Sequence, residues 1–441
     1  MESSDWGLTR NAADHLVLGG CDLVALAQRY GTPLHVADET AIRRHYGALL
    51  GAASAGPSRA RVFYSYKSNC VPGLLRVLHA EGCGAEVISP YELWLARRLD
   101  VPPSQIIYNG VNKSLDDLRA AVELGVGLIN VDSLAELRRL SSIARPGQPP
   151  IDVGVRVFPS VGWRSHFGVD PRREPLVAAC REGEAAGLVH VKALHVHFGS
   201  GLRATSPYDR AIDFVCQTAR DLRDRAGVEI EAIDVGGGFG VPGVRPLTAA
   251  EVGLYRLWSV PPRAPDARGC PSLQEFGRAI GDAVTRSAAR HGVRQPEILL
   301  EPGRALTSAA QVLLLTVKEI KRRGRTWFAV VDGAMQQMAF PLSYEYHACL
   351  VASSASGQRP PRRYFVVGPL CSPEDVLYRN WRLPELSEGD VLAVMDAGAY
   401  FTSFANNFSF PRPPIALVQD GRDRLIRQRE TFAAIAAPDD P

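Results

Sequence analysis

From about residue 60 to residue 306 the chain repeats one rhythm: a short apolar run, a polar or glycine turn, then a stretch with apolar residues at helical spacing. Eight of the apolar runs are predicted as strands, at 62–66, 85–89, 106–109, 128–132, 153–157, 193–198, 232–235 and 298–300. Stretches such as PYELWLARRL (90–99) and LDDLRAAVEL (115–124) lie between them and put their apolar side chains on one helix face. Strands that alternate with helices imply a parallel sheet, and eight such units close most economically into a (β/α)8 barrel of the TIM type. A doubly wound open sheet is the alternative. It would want a glycine-rich turn after its first strand, where this chain has YKSNCVPG (66–73).

After Leu306 the character changes. VLLLTVKEI (312–320), TWFAVVDG (326–333), YFVVGPLC (364–371) and GDVLAVMDAGAY (389–400) are β-type runs separated by Pro, Gly and Ser, with little helix between them. The expected organisation is an α/β barrel over residues 36–310 and a mostly β domain over 311–441. Residues 1–35 should pack on that second domain, with TPLHVAD (32–38) adding a strand to it. The seventh connection, 239–296, is far longer than a usual βα unit and holds the Pro/Arg-rich piece VPPRAPDARG (260–269). On a catalytic face such a loop serves as a lid or recognition element, and a disordered insertion is the alternative.

Composition narrows the class. A chain of 441 residues, 46% apolar and 22% charged, is an ordinary globular protein with room for two domains. A net charge of +3, with KRRGR (321–325) its most basic run, leaves no footprint for nucleic acid. The eight cysteines at 21, 70, 83, 180, 216, 270, 349 and 371 have no C-x-x-C spacing, which argues against a disulfide scaffold and a structural zinc. Residues 1–14 lack the apolar core of a signal peptide, and no apolar run approaches the ~20 residues of a membrane helix. The expectation is a reduced, cytoplasmic enzyme.

Only five of the fifty basic residues are lysines (67, 113, 192, 318 and 321), and Lys67 ends the strand-like run ARVFYSY. A lysine there either lays its stem on the strand and its ammonium in water, or does amine chemistry. The other predicted strand ends favour chemistry. In order they carry Lys67, Glu86 with Ser89, Asn109, Asp132, Arg156, His197, the glycines 236–238, and Glu301 with Arg304. A TIM barrel builds its active site at this rim. Lysine forms a Schiff base with an aldehyde cofactor. DVGGGFG (234–240), with Gly237 and Gly238, offers backbone N–H groups to a phosphate, and Gly303 and Arg304 of EPGR (301–304) add a donor and a charge. A carboxylate at Glu301 keeps a pyridine nitrogen protonated, and a charged ring is the electron sink for a carbanion at Cα. His197, in HVHFGSG (195–201), can stack on a flat ring. These parts suit pyridoxal phosphate. His195 and His197 also read as a metal pair with Asp132 as a third ligand, but partners for a closed set are not evident and no metal is expected.

From about Thr32 to Pro414 the chain resembles the ornithine/diaminopimelate decarboxylases, pyridoxal-phosphate enzymes of fold type III that share the alanine-racemase-like barrel. The resemblance rests on FYSYKSN (63–69), SHFGVD (165–170), HVHFGSG, DVGGGFG, EPGR, VVGPLCSPEDVL (366–377) and GAYFTSFANNFSFPRP (398–413), all in order. It implies that Lys67 holds the cofactor, that His197 stacks on the ring and that Glu301 faces the pyridine nitrogen. It also implies that Ser200, Gly238, Arg304 and Tyr400 attend the phosphate. Cys371 would protonate Cα after carbon dioxide leaves, reaching the site from a partner subunit in a homodimer with two shared sites.

The substrate-reading positions depart from the family. Ser372 stands where the diaminopimelate enzymes have Glu and the ornithine enzymes Asp, and Phe340 of FPLSYEYH (340–347) stands where the former have Arg. A far ammonium and carboxylate left unpaired in a dry pocket cost a few kcal/mol. The expectation is therefore a decarboxylase for an amino acid with a neutral, bulky or conjugated far end, free or carrier-bound, in a specialised pathway, with 239–296 helping to read it. Diaminopimelate, lysine or ornithine decarboxylation is the alternative, with Glu374 near enough to supply the missing charge. Arg156 either positions Glu301 or pairs with Asp132, and Glu86 stands where the family usually has Asp. A racemase would place Arg rather than Glu301 at the ring nitrogen, and a non-catalytic cofactor-binding protein would not need Cys371.

Overall fold

The computed structural model describes residues 3–145, 147–159, 161–162, 165–185, 187–353 and 359–439. Eight parallel strands form a closed barrel: β1 (Ala60–Ser65), β2 (Gly84–Val87), β3 (Ile106–Tyr108), β4 (Leu128–Val131), β5 (Ile151–Arg156), β6 (Val189–His195), β7 (Ala232–Asp234) and β8 (Glu297–Leu300). β8 returns to β1 through the register Ile298↔Ala60, Leu299↔Arg61, Leu300↔Val62, which closes the ring. Phe63, Ile107, Leu128, Ala193, Ala232 and Leu299 form a separate buried apolar cluster of strand residues, and the larger core lies between strands and helices. Ser and Thr caps start many of the helices, with full capping boxes at Ser114, Thr248 and Ser272.

Seven of the eight predicted strands run one to three residues past the observed ladders at their C-terminal ends. Most of the chemistry-bearing residues sit just beyond the strands: Lys67 lies in the single turn Tyr66–Ser68, and His197 two residues after β6. The hydrophobic pattern continues because these turns are buried as well, so apolar periodicity alone does not mark where pairing stops.

The second domain is a mostly β structure around a nine-stranded sheet. Its spine is the long strand Gln311–Arg323, which pairs with Leu34–Asp38, Val391–Val394 and Thr326–Val331 in successive parts of its length. Leu34–Asp38 also runs parallel to Ile415–Gln419, so one strand from the start of the chain is held between two from its last third.

The long seventh connection is not a disordered insertion. Arg245–Pro246 pairs with Glu345–Tyr346 of the second domain. The helix Ala249–Trp258 is held to the same domain by two bonds: the Arg379 amide donates to the Tyr255 hydroxyl at 2.8 Å, and Asn380 Nδ2 donates to the Ser259 carbonyl at 3.1 Å. Leu273–His291 is then an ordinary barrel helix, bracketed by Glu39–Ala53 and Ser206–Ala226. The extra length is a strut between domains. No helix among the described residues is long and apolar enough to cross a membrane.

Candidate active site

At the C-terminal rim of the barrel the turn after β1 puts Lys67 beside the fully buried Glu86, with Nζ donating to Oε2 at 2.9 Å. Ser65 Oγ donates to the same oxygen. Asn109 Nδ2 donates to Glu86 Oε1 at 3.0 Å and to Glu301 Oε1 at 2.7 Å. Asn130 Nδ2 donates to Asn109 Oδ1 at 2.7 Å and to Asp234 Oδ2 at 2.9 Å, while the Gly236 amide donates to Asp234 Oδ1 at 2.9 Å. A methyl group on Gly154 would lie 1.8 Å from Asn130 Oδ1, so the fifth strand carries glycine where this network passes. Asp234 and Glu301 are hydrogen-bonded to each other, and two carboxyl groups bond only if one carries a proton.

The charges follow from this geometry. Burial opposes the charge on Lys67, but the carboxylates of Glu86 and Glu301 outweigh it and hold its pKa above the ordinary lysine value. Burial pushes Asp234 up to about 6 against the pull of its bonds to Glu301, Gly236 and Asn130, whereas burial and then the charges of Asp234 and Glu86 push Glu301 well above the usual carboxylate range. Burial, reinforced by Lys67 and Arg156, drives His197 down to about 3, and His195 falls well below its ordinary value for the same reasons. The site therefore holds one ammonium, two neutral imidazoles and a carboxyl pair that shares a proton.

A stability test follows. Ionising the Asp234–Glu301 pair costs more in the folded than in the unfolded chain, so this cost is absent below about pH 4 and grows toward neutrality. Asp234→Asn removes one titrating partner. Its thermal midpoint, relative to wild-type apoenzyme, should rise steadily between about pH 4 and pH 7. A flat or falling difference would mean that the two carboxyl groups share no proton.

A cavity of about 460 Å3 opens above this network. It is lined by Lys67, His197, Ser200, Gly238, Glu301, Gly303, Arg304 and Tyr400 of the predicted set, and also by Ser65, Tyr344, Glu345 and Phe404, which the sequence did not single out. Side chains at Gly237 and Gly238 would meet the carbonyl oxygens of Glu301 and Gly199 at 2.2 and 2.3 Å, so the rim there is bare backbone. A bare rim, an arginine, an amine and a carboxyl group in one cavity fit pyridoxal phosphate. Tyr400 has φ 69°, a left-handed conformation that strains a bulky residue, and its amide donates to the Ser68 carbonyl at 2.8 Å, beside Lys67.

Arg304 is engaged from the second domain. Its two terminal nitrogens donate to Glu345 at 3.0 and 2.6 Å, and His347 Nε2 lies 3.3 Å from the same carboxylate. Arg156 takes the pairing alternative, reaching Asp132 Oδ1 at 3.4 Å and lying over the Phe167 ring. It does not line the cavity. Nor do Cys371, Ser372 and Glu374 line the cavity of their own chain. Cys371 is exposed, and Asp375 shapes that segment by accepting the Met335 and Leu370 amides at 2.7 and 2.9 Å. Phe340 does not line the cavity itself but packs against Tyr344 and Phe404, which do.

The one group of possible metal ligands among the described residues is His195, Asp234 and Glu301, not the His195–His197–Asp132 set read from sequence. Asp132 is taken by Arg156 and the Gly168 amide. The two carboxyl groups are already met by amide donors and a shared proton. Asn130 and Asp234 were missed as partners, although a lone Asn inside the buried run LINV was a usable signal. Glu345 gave none, because its partner arginine is 41 residues away and in the other domain.

A family model for the pyridoxal-binding domain of pyridoxal-dependent decarboxylases matches residues 40–308. The chain belongs to this family. It is 36% identical over 436 residues to a diaminopimelate decarboxylase of Methanothermobacter thermautotrophicus, covering 96% of this chain and 95% of that one. The structure of a diaminopimelate decarboxylase from M. jannaschii in complex with L-lysine superposes with a TM-score of 0.84 at 28% identity, covering 98% and 97% of the two chains. The structure of SrLDC with pyridoxal phosphate and cadaverine gives 0.73 at 25% identity, covering 89% and 92%. This pyridoxal-dependent decarboxylase is thus a carboxy-lyase that uses pyridoxal phosphate and acts on an amino acid. The racemase and the non-catalytic readings fall away.

Proposed function

We propose that the enzyme decarboxylates diaminopimelate, acting in the cytoplasm as a homodimer. Similarity to diaminopimelate decarboxylases along nearly the full length of both chains carries this reading. It supports the diaminopimelate alternative better than the expected conjugated or carrier-bound substrate, and eight unpaired cysteines suit a reducing compartment. When bound, pyridoxal phosphate supplies the electron sink for the pair of electrons left at Cα as carbon dioxide departs. Lys67 supplies the amine that holds it. To act as a nucleophile Lys67 must lose a proton, and Glu86 at 2.9 Å is placed to take it. Glu301, which carries the proton it shares with Asp234, would give that proton to the ring nitrogen and then face it as an anion, and Asn109 fixes the orientation of Glu301 through its 2.7 Å bond. Neutral His197 offers a flat ring without adding positive charge. Ser200, Gly237, Gly238, Gly303, Arg304 and Tyr400 form the phosphate end. Cys371 serves the cavity of a second copy of the chain, with Ser372 and Glu374 beside it.

Ser372 and Phe340 favour a second reading, in which the substrate has an uncharged or conjugated far end. Carbon dioxide release and product mass should be measured with pyridoxal phosphate on diaminopimelate, lysine, ornithine, arginine, glutamate and several conjugated amino acids, with Lys67→Ala as control. The expected result is conversion of diaminopimelate to lysine. Silence on it, with release from a conjugate, would replace the first reading by the second.

A further inference from the structure

The cavity has a charged floor and an aromatic mouth. On the floor every charge is already matched: Lys67 on Glu86 at 2.9 Å, Arg304 on Glu345 at 2.6 Å, and Glu301 in its proton-sharing bond to Asp234. One side of the remaining wall is formed by Tyr344, Tyr400 and Phe404, and Phe340, just outside the lining, packs on Tyr344 and Phe404 and extends it outward. Ring centroids are 6.0 Å apart between Tyr400 and Phe404, 5.6 Å between Phe404 and Phe340, and 5.9 Å between Phe340 and Tyr344. The rings meet at 36°, 56° and 62° rather than in one flat stack. The run begins at Tyr400, bonded to the residue after Lys67, and ends at Phe340 and Phe404, which are 41% and 47% exposed.

Such a wall accepts methylene groups along its length but is not indifferent to charge. Aromatic faces carry negative potential, so they attract an ammonium and repel a carboxylate. We propose that this wall, with Phe340 at its outer end, binds the far ammonium of a diamino-acid substrate and so does the work that Ser372, having no charge, cannot do. The proposal rests on the diamino-acid reading above and names the residues that give it specificity.

The test uses the holoenzyme with two substrates of equal length: diaminopimelate, and 2-aminopimelate, which lacks only the far ammonium. KM is read for each, or Ki where a compound binds without turnover. Phe340→Leu keeps apolar bulk and removes the ring. It should raise KM for diaminopimelate about five- to tenfold, shift 2-aminopimelate less than about twofold, and show the loss in KM rather than kcat. Phe340→Tyr, which restores a ring, should restore most of the selectivity. An equal loss on both compounds is what a wall packed against a second copy of the chain would give, and it overturns the proposal. So does no loss at all, or wild-type enzyme that prefers 2-aminopimelate. Wild-type silence on diaminopimelate removes the parent reading and this proposal together, whereas turnover without a selective Phe340 effect removes this one alone.

Discussion

Replacing Lys67 by Ala should lower carbon dioxide release by at least about a thousandfold, equivalent to ~4 kcal/mol of transition-state stabilisation. No other described lysine is near enough to substitute. Lys113, the next along the chain, is buried between Glu136 and the carbonyls of Asn109 and Asn130, where it braces the rim. The substitution also removes the cation that faces Glu86, leaving three buried carboxyl groups linked through Asn109 and Asn130. The variant should bind pyridoxal phosphate more weakly, and borohydride should no longer fix it to the chain. Fixation of the cofactor to the Lys67→Ala chain would assign the amine elsewhere.

Cys371→Ala should cost about a hundredfold or more, the usual weight of a general acid. The more telling result comes from mixing it with Lys67→Ala. Cys371 lies outside the cavity of its own chain. If it acts in a second copy, unfolding and reassembling equal amounts of the two inactive variants should regenerate about a quarter of wild-type activity, because half of the dimers are hybrids and each hybrid has one intact site. Recovery of nothing would return Cys371 to its own subunit or remove it from the reaction. Sedimentation of each variant alone guards against a failure of assembly.

The barrel was legible because alternation of strand and helix leaves a strong period, and because a TIM barrel gathers chemistry at one rim. That is why the strand ends alone bring Lys67, His197, Glu301 and Arg304 to one site. Other parts had no such signature. Asp234 looked like the first residue of a phosphate loop, and it is the pairing of β7 with β8, which sets Asp234 opposite Leu299, that brings it beside Glu301. Glu345 and Arg304 are joined across two domains, a distance no local pattern encodes. The strut from the seventh connection read as a loop because its pairing partner, Glu345–Tyr346, is two residues of an otherwise irregular segment. Phe340 was read as a lost charge, and its meaning changed once Tyr344 and Phe404 stood beside it.

The strand Leu34–Asp38 has a consequence for how the protein is made. It is synthesised ahead of the whole barrel, and its first four residues are fully buried in the finished sheet. Yet its neighbours, Gln311–Arg323 and Ile415–Gln419, appear only after the whole barrel has been translated. At ~5–20 residues per second the ribosome takes roughly tens of seconds to reach them. During that interval the barrel can close, while an apolar strand with two unpaired edges waits in front of it, the kind of segment that pairs with another chain if nothing shields it. Completion of the second sheet is therefore a late, long-range event, and a chain that stops short of residue 415 leaves that strand with one edge permanently open.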